Sequence, residues 1–293
     1  MQKPILLFSS ITILLSWTAA ALFYVLNGDL QTTAGFVFMT GYMFFPLISV
    51  VIVQDIYKEP ILKGLDVSFK LNRWFVVAWL LPVVFNVVAM FASALVPPMR
   101  FSTETPILQD ALAQMSQSIP DIDAYKLLAV TIVSGLSAGI TINALFAFGE
   151  EIAWRGWLLK QFEGVKFLKT SLIIGAFWGI WHAPLIAMGH NYAQHPFIGL
   201  VMMIIWCTLL TPIIQYIRIK SKSVITAAIF HGTLNASAGL SLMYLDNYND
   251  LLGGSAGLVG FIILLVINCL LFAIDKWVTK ENIFTQPIAS SIK

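Results

Sequence analysis

Eight apolar stretches, each near the roughly 20 residues a helix needs to cross a bilayer, dominate this chain of 293 residues. They cover 5–26, 33–53, 74–96, 126–148 (running on as helix to about 162), 169–188, 196–217, 223–244 and 251–274. Little is left over for a soluble domain. Hydrophobic residues make up 58% of the chain and charged ones 11%, whereas ordinary soluble domains carry roughly a quarter charged residues. This balance excludes a disordered chain, a disulfide-stapled secreted domain and a soluble nucleic-acid binder. The expected fold is all-α: a polytopic bundle of about eight transmembrane helices forming one membrane domain over 1–293.

The first stretch carries small residues, Thr18-Ala19-Ala20-Ala21, of the kind found at signal cleavage sites. Its apolar run is longer than the 7–15 residues of a usual signal core, so it reads as a span. The connections 54–73 and 97–125 are long and polar. In the second, 106–117 is patterned as an amphipathic surface helix (Ile107, Leu108, Leu112, Met115), with a plain loop the equal alternative. Cys207 and Cys269 sit in apolar runs outside any metal-binding spacing and read as buried, inert thiols.

Loop charge sets the orientation, because Lys and Arg are retained on the cytoplasmic side. With both termini inside, fourteen of the 17 Lys and Arg fall on inner segments, while Arg100 and Lys126 fall outside. The expectation is a multi-pass protein of the cell membrane with both ends cytoplasmic.

Ionisable groups at membrane depth cost about 2.5–3.5 kcal/mol each and ask for a reason. Here they are few. Glu150, Glu151 and Arg155 lie late in the fourth span, His182 in the fifth, His231 and Asn235 in the seventh. Glu151 and Arg155 are four apart on one helix face and can pair, leaving Glu150 unpaired about 100° round the helix. His231 and Asn235 also share a face. Polar stripes turn inward because lipid cannot satisfy them. Glu150, His182, His231 and Asn235 are therefore expected to converge on an internal polar cavity. Helix rise puts them about 15, 20 and 12 Å from the inner span ends for Glu150, His182 and His231, in the cytoplasmic half.

These are the parts of a hydrolase. A buried carboxylate can take a proton from water, a neutral imidazole can orient that water, and an amide can donate to an oxyanion. The same groups could hold a divalent metal with an open position, although HExxH is absent. Blander readings stand beside these. Glu151–Arg155 can be a packing clasp, a lone intramembrane His can be structural, and His231/Asn235 can be a helix-to-helix hydrogen bond. A proton-coupled transporter would use the same parts, and a non-catalytic scaffold is the third reading. Against transport, the chain shows no inverted repeat. Gly135-x3-Gly139 and Gly175-x3-Gly179 allow close helix approach. Pro184 removes the N–H that would bond the Ile180 carbonyl, bending the fifth span just past His182.

At these residues the chain resembles the CPBP intramembrane proteases, which include the type II CAAX prenyl endopeptidases. Glu150-Glu151-Ile152-Ala153-Trp154-Arg155 matches their EExxxR motif, and His231-Gly232-Thr233-Leu234-Asn235 matches HxxxN. Trp181-His182-Ala183-Pro184 is similar to the second motif, usually FxxxH. Here Trp178 stands four before His182, and Phe177 lies one residue earlier. The resemblance covers 125–240, the motif-bearing core. It implies an endopeptidase facing the cytoplasmic half, acting on a membrane-anchored or prenylated protein or peptide. It implies that Glu150 and His182 activate water, that His231 and Asn235 serve the oxyanion or a metal site, and that Glu151 and Arg155 are structural. A metal such as zinc through Glu150, His182 and His231, or a metal-free glutamate mechanism, are both compatible with it.

Overall fold

The computed structural model describes residues 3–61, 65–109 and 123–288. The chain is an integral membrane protein built as a helical bundle. α1 (Lys3–Val25) leads to a broken hairpin partner, α2 (Thr33–Tyr42) and α3 (Phe45–Ile56). Thr32 caps α2 by accepting from the Gly35 N–H, and Pro46 stands in the first turn of α3, where no donor is needed. α4 (Arg73–Ser93) begins at Asn72, whose side chain accepts from the Trp74 N–H.

α5 (Ala124–Ile140), capped by Asp123, meets α6 (Ile142–Glu151) at a 48° bend. The bend lies at Thr141, whose backbone is far from helical at φ −114 and ψ −102. α6 then widens into a π turn over Ile152–Leu158 and runs on to Gln161. α7 (Phe167–Trp181) is followed by a five-residue helix, Ala183–Ala187. α8 (Pro196–Ser221), α9 (Val224–Ser237) and α10 (Leu258–Ala273) complete the bundle. Two two-residue strands, β1 (Arg100–Phe101) and β2 (Leu245–Asp246), pair antiparallel at one end.

The bundle closes around α9, which packs on α4, α5, α6 and α8. Small residues set these approaches. A Cβ on Gly135 would meet the Ala236 carbonyl oxygen and Ser237 at 3.4 Å, and one on Gly139 would overlap Thr233. On the other seam, a Cβ on Gly175 would come within 2.7 Å of the Thr208 backbone, and one on Gly179 would overlap Ile204. Both glycine pairs therefore let backbones touch where the spacing suggested.

Several sequence expectations need correction. Among the described residues, five helices are long and apolar enough to cross a membrane by length and composition, or six if the bent α5–α6 pair is one span. The stretches 169–188 and 223–244 each hold a shorter regular helix continued by a second short one, Ala183–Ala187 after α7 and the 3-10 turn Ala238–Ser241 after α9. α7 has 15 residues because Pro184 stops it, and α9 has 14. α9 can be short because protein, not lipid, surrounds it. Its buried Thr226, Thr233 and Ser237 need no aqueous end. Cys207 is buried but Cys269 is exposed, on a face of α10 where Leu265, Val266 and Leu270 are exposed as well. Residues 106–109 are helical, while Leu112 and Met115 lie outside the described residues.

The two ends of the bundle differ. At one, Asp66 pairs with Lys160 (3.3 Å) and with Arg218, Lys220 pairs with Glu281, and Ser223 bonds the Ser68 carbonyl. At the other, Arg100 pairs with Asp246 (2.7 Å), His195 meets Asp250 (2.6 Å), and the Tyr244 hydroxyl donates to the Ala124 carbonyl (2.7 Å). The first end is the Lys/Arg-rich one. Arg218, counted with the inner segments from sequence, sits at this end in the last turn of α8, 1% exposed and paired with Asp66.

Candidate active site

α6, α7 and α9 carry the four sequence candidates to one cavity of about 360 Å³, lined by Glu150, His182, His231 and Asn235. Its walls are mostly apolar, with Met39, Met43, Phe146 and Trp206 among them. Glu150, His182 and His231 are buried, while Asn235 is exposed to the cavity side.

Glu150 is not unpaired. Its Oε2 accepts from the Trp178 indole N–H (2.7 Å) and the Trp154 indole N–H (3.3 Å). Two neutral donors satisfy one oxygen of the carboxylate without supplying a counter-charge. The ladder around it is the π turn, whose i→i+5 bonding widens the helix. Such turns recur at functional sites because they re-aim side chains within a helix.

Glu151 and Arg155 do pair, at 2.9 Å and fully buried. The pair is wider than a clasp on one helix. Glu151 Oε1 also accepts from Nδ1 of His231 (2.9 Å). Arg155 donates to the Thr211 hydroxyl (3.0 Å) and stacks its guanidinium over the Trp178 ring at 4.4 Å. Its backbone carbonyl accepts from Arg218 Nε (2.9 Å), and Arg218 reaches Asp66. A chain of polar contacts thus runs from the basic end of the bundle to His231.

The histidine protons follow from their partners. A carbonyl oxygen can only accept, so His182 Nδ1, at 2.8 Å from the Trp178 carbonyl, carries a hydrogen. A carboxylate likewise accepts from His231 Nδ1. Both rings are therefore anchored through Nδ1, and Nε2 is the nitrogen left for other work. His182 sits where α7 stops. Pro184 ends the ladder, and the His182 amide caps back to Gly179 and Trp178.

Trp178 ties these groups together. Its ring lies 5.6 Å from that of His182 and 5.3 Å from that of His231, between centroids. Sequence reading treated this residue only as an aromatic replacement. The i, i+4 spacing to His182 was visible, but the N–H aimed at Glu150 depends on packing between α6 and α7. Tyr42 is a second residue that sequence did not single out. It lines the cavity, and its hydroxyl donates to the Trp181 carbonyl (3.0 Å).

The donor set was tested for a metal. Among the described residues, no three His, Cys, Asp or Glu side chains come together as a group able to hold one. A catalytic zinc site needs three protein ligands, and Glu150 Oε2 is already engaged by two indoles. The residues as arranged do not fit a zinc centre through Glu150, His182 and His231, and no chemical step is derived through one.

Against known proteins, residues 124–237 match the family described as Type II CAAX prenyl endopeptidase Rce1-like. The match covers 114 of the 293 residues, so what it shows is a likeness of this segment to that family. The segment runs from the start of α5 to the end of α9, so it contains all three motifs, while Thr40, Tyr42 and Ser255 of the cavity lining fall outside it. The chain is also similar to a protein named CAAX prenyl protease 2 from Methanococcus maripaludis, 33% identical over 106 residues. That alignment covers 33% of this chain and 38% of the relative, well under two thirds of its length. α1 to α4 and α10 lie outside the segment matched by the family, and α4 and α10 pack against it.

Proposed function

We propose that the chain is an intramembrane endopeptidase that hydrolyses a peptide bond of a membrane-anchored protein or peptide, prenylated ones included. The observation that carries this reading is the meeting of a buried carboxylate, two Nδ1-anchored imidazoles and an amide in one cavity of an otherwise apolar bundle. The family segment and the relative's name support the same reaction class.

The reaction is assigned as follows. Glu150 takes a proton from a water that His182 orients through Nε2, and the hydroxide adds to the scissile carbonyl carbon. The carbonyl oxygen becomes an oxyanion that accepts from the Asn235 amide and from Nε2–H of His231 in its doubly protonated form, whose charge Glu151 balances at Nδ1. When the tetrahedral species collapses, the C–N bond breaks and Glu150 passes its proton to the departing amine. The products are one carboxyl and one amino terminus, and water is the only molecule consumed. Glu151 and Arg155 touch no reacting atom. Glu151 orients His231, and Arg155 holds Glu151.

The test is purified protein in proteoliposomes with a panel of membrane-anchored peptides, read by mass spectrometry. New termini that vanish with Glu150→Gln are expected. Flux of an intact solute with no cut product would replace hydrolysis by transport.

Trp178→Phe separates the roles within the site. Phe keeps the aromatic wall, and it is the residue the family motif usually has, but it removes the donor to Glu150. Hydrogen bonds to charged groups contribute about 1.5–3 kcal/mol. If that bond serves the transition state, kcat/KM should fall by about ten- to a hundredfold, in a variant that melts lower but still elutes as a folded monodisperse species. An unchanged rate would show the indole N–H to be incidental.

A further inference from the structure

The cavity and the basic loops lie at opposite ends of the bundle. The cavity is lined by Phe36, three residues into α2, by His190 and Asn191 in the loop after the short helix, and by Ala238 just past α9. Ser255 and Ala256, just before α10, complete that rim. In chain order these are the ends next to the connections 26–32, 188–195 and 238–257. None of the lining residues comes from 57–73, 160–169 or 218–223, the Lys/Arg-rich connections.

The charge contrast at the two ends is large. On the cavity end the Lys and Arg residues are Arg100 and Lys126, among acidic residues that include Asp29, Glu104, Asp123, Asp246 and Asp250. Lys and Arg near span ends are held cytoplasmic. The two sequence expectations, cytoplasmic termini and a site in the cytoplasmic half, therefore cannot both hold. The charge distribution involves many residues, whereas the depth assignment assumed straight, full-length spans. α7 and α9 are short and α5–α6 is bent, so the depth assignment is the one to give up.

We infer that the cavity opens on the extracytoplasmic face and receives its substrate there. This deepens the endopeptidase reading and rests on it for the word substrate. The substrate class narrows to a polypeptide anchored in the membrane with its cleavable segment on the outer side, which sets aside prenylated chains lying on the cytoplasmic face. The walls suit such a segment. Phe36 is 60% exposed on the bundle surface yet also lines the cavity, so one wall is continuous with the lipid-facing side. Met39, Met43 and Phe146 continue that wall inward to Glu150. An apolar stretch can follow it from the outer leaflet, with the polar groups at its inner limit.

Two exposed positions outside the site decide the side. In a Cys269→Ser background, Ala193→Cys marks the cavity end and Glu163→Cys the basic end. In intact spheroplasts a membrane-impermeant maleimide should label Ala193→Cys, and should label Glu163→Cys only after permeabilisation. The reverse pattern overturns the inference. A second readout uses single-span reporter peptides whose flanking lysines place the scissile segment outside or inside. Glu150-dependent cutting of the outward version supports the inference, and cutting of the inward version alone overturns it. If Ala193→Cys labels from outside and neither reporter is cut, the access side stands and the hydrolytic reading is what fails.

Discussion

Glu150→Gln is expected to lower kcat/KM for peptide cleavage by about two to four orders of magnitude, the usual contribution of a positioned general base. The reasoning is geometric as well as chemical. Gln has the volume of Glu, and its amide oxygen can still accept from the Trp178 and Trp154 indoles that hold Oε2. The side chain should therefore stay where it is, and the variant should elute as a folded monodisperse species with an unchanged melting temperature. It cannot take a proton from water. Removing the negative charge also removes a desolvation penalty inside the bundle, so the variant should be no less stable than the parent. The measurement pairs initial rates on a fluorogenic membrane peptide with thermal unfolding in the same detergent. A loss smaller than about tenfold in a folded protein would be too little for a general base, and would hand that role to another group.

The sequence carried much of this site because helix geometry is local. The i, i+4 spacing of Glu151 and Arg155 places their charges together, and the pair is found at 2.9 Å. The same spacing turns His231 and Asn235 to one cavity, and scarcity of charge elsewhere marked these residues out. Pro184 foretold the break after His182 because a missing N–H has only one local consequence. Contacts across the bundle were not legible. Glu151 meets His231 over 80 positions, and Trp178 meets Glu150 over 28. Nothing in a single sequence says which of several aromatics will aim its N–H at a carboxylate. Hydropathy also overstated the length of two regular helices, since α7 has 15 residues and α9 has 14. A helix surrounded by other helices and one crossing lipid show the same apolar run, and α9 is the former. Arg218 was legible as a charge of the basic end, where it meets Asp66, but its bond to the Arg155 carbonyl, 63 positions away, was not.

Replacing Glu151 tests the polar chain that supports His231, and Glu151→Ala should destabilise the protein by about 3–5 kcal/mol, the cost of removing one partner of a buried ion pair. The loss is large because Glu151 has two dependants. Without it, Arg155 keeps only the Thr211 hydroxyl and the face of Trp178, and His231 loses the acceptor for Nδ1. Both groups sit at or below 4% exposure, where water does not replace the lost oxygen. The measurement is thermal unfolding of purified protein in detergent, with the folded fraction followed by size-exclusion chromatography. Glu151→Gln should be milder, since its amide oxygen can accept from one of the two donors. The double change Glu151→Gln with Arg155→Met should recover part of the loss, because it removes the stranded guanidinium and restores apolar volume over Trp178. If the double variant is less stable than Glu151→Gln alone, Arg155 contributes through Trp178 and Thr211 more than through its carboxylate. If Glu151→Ala unfolds at the parent temperature, the network is not what holds α6 against α9. The close approach of Gly232 to Ala144 would then be what holds that seam.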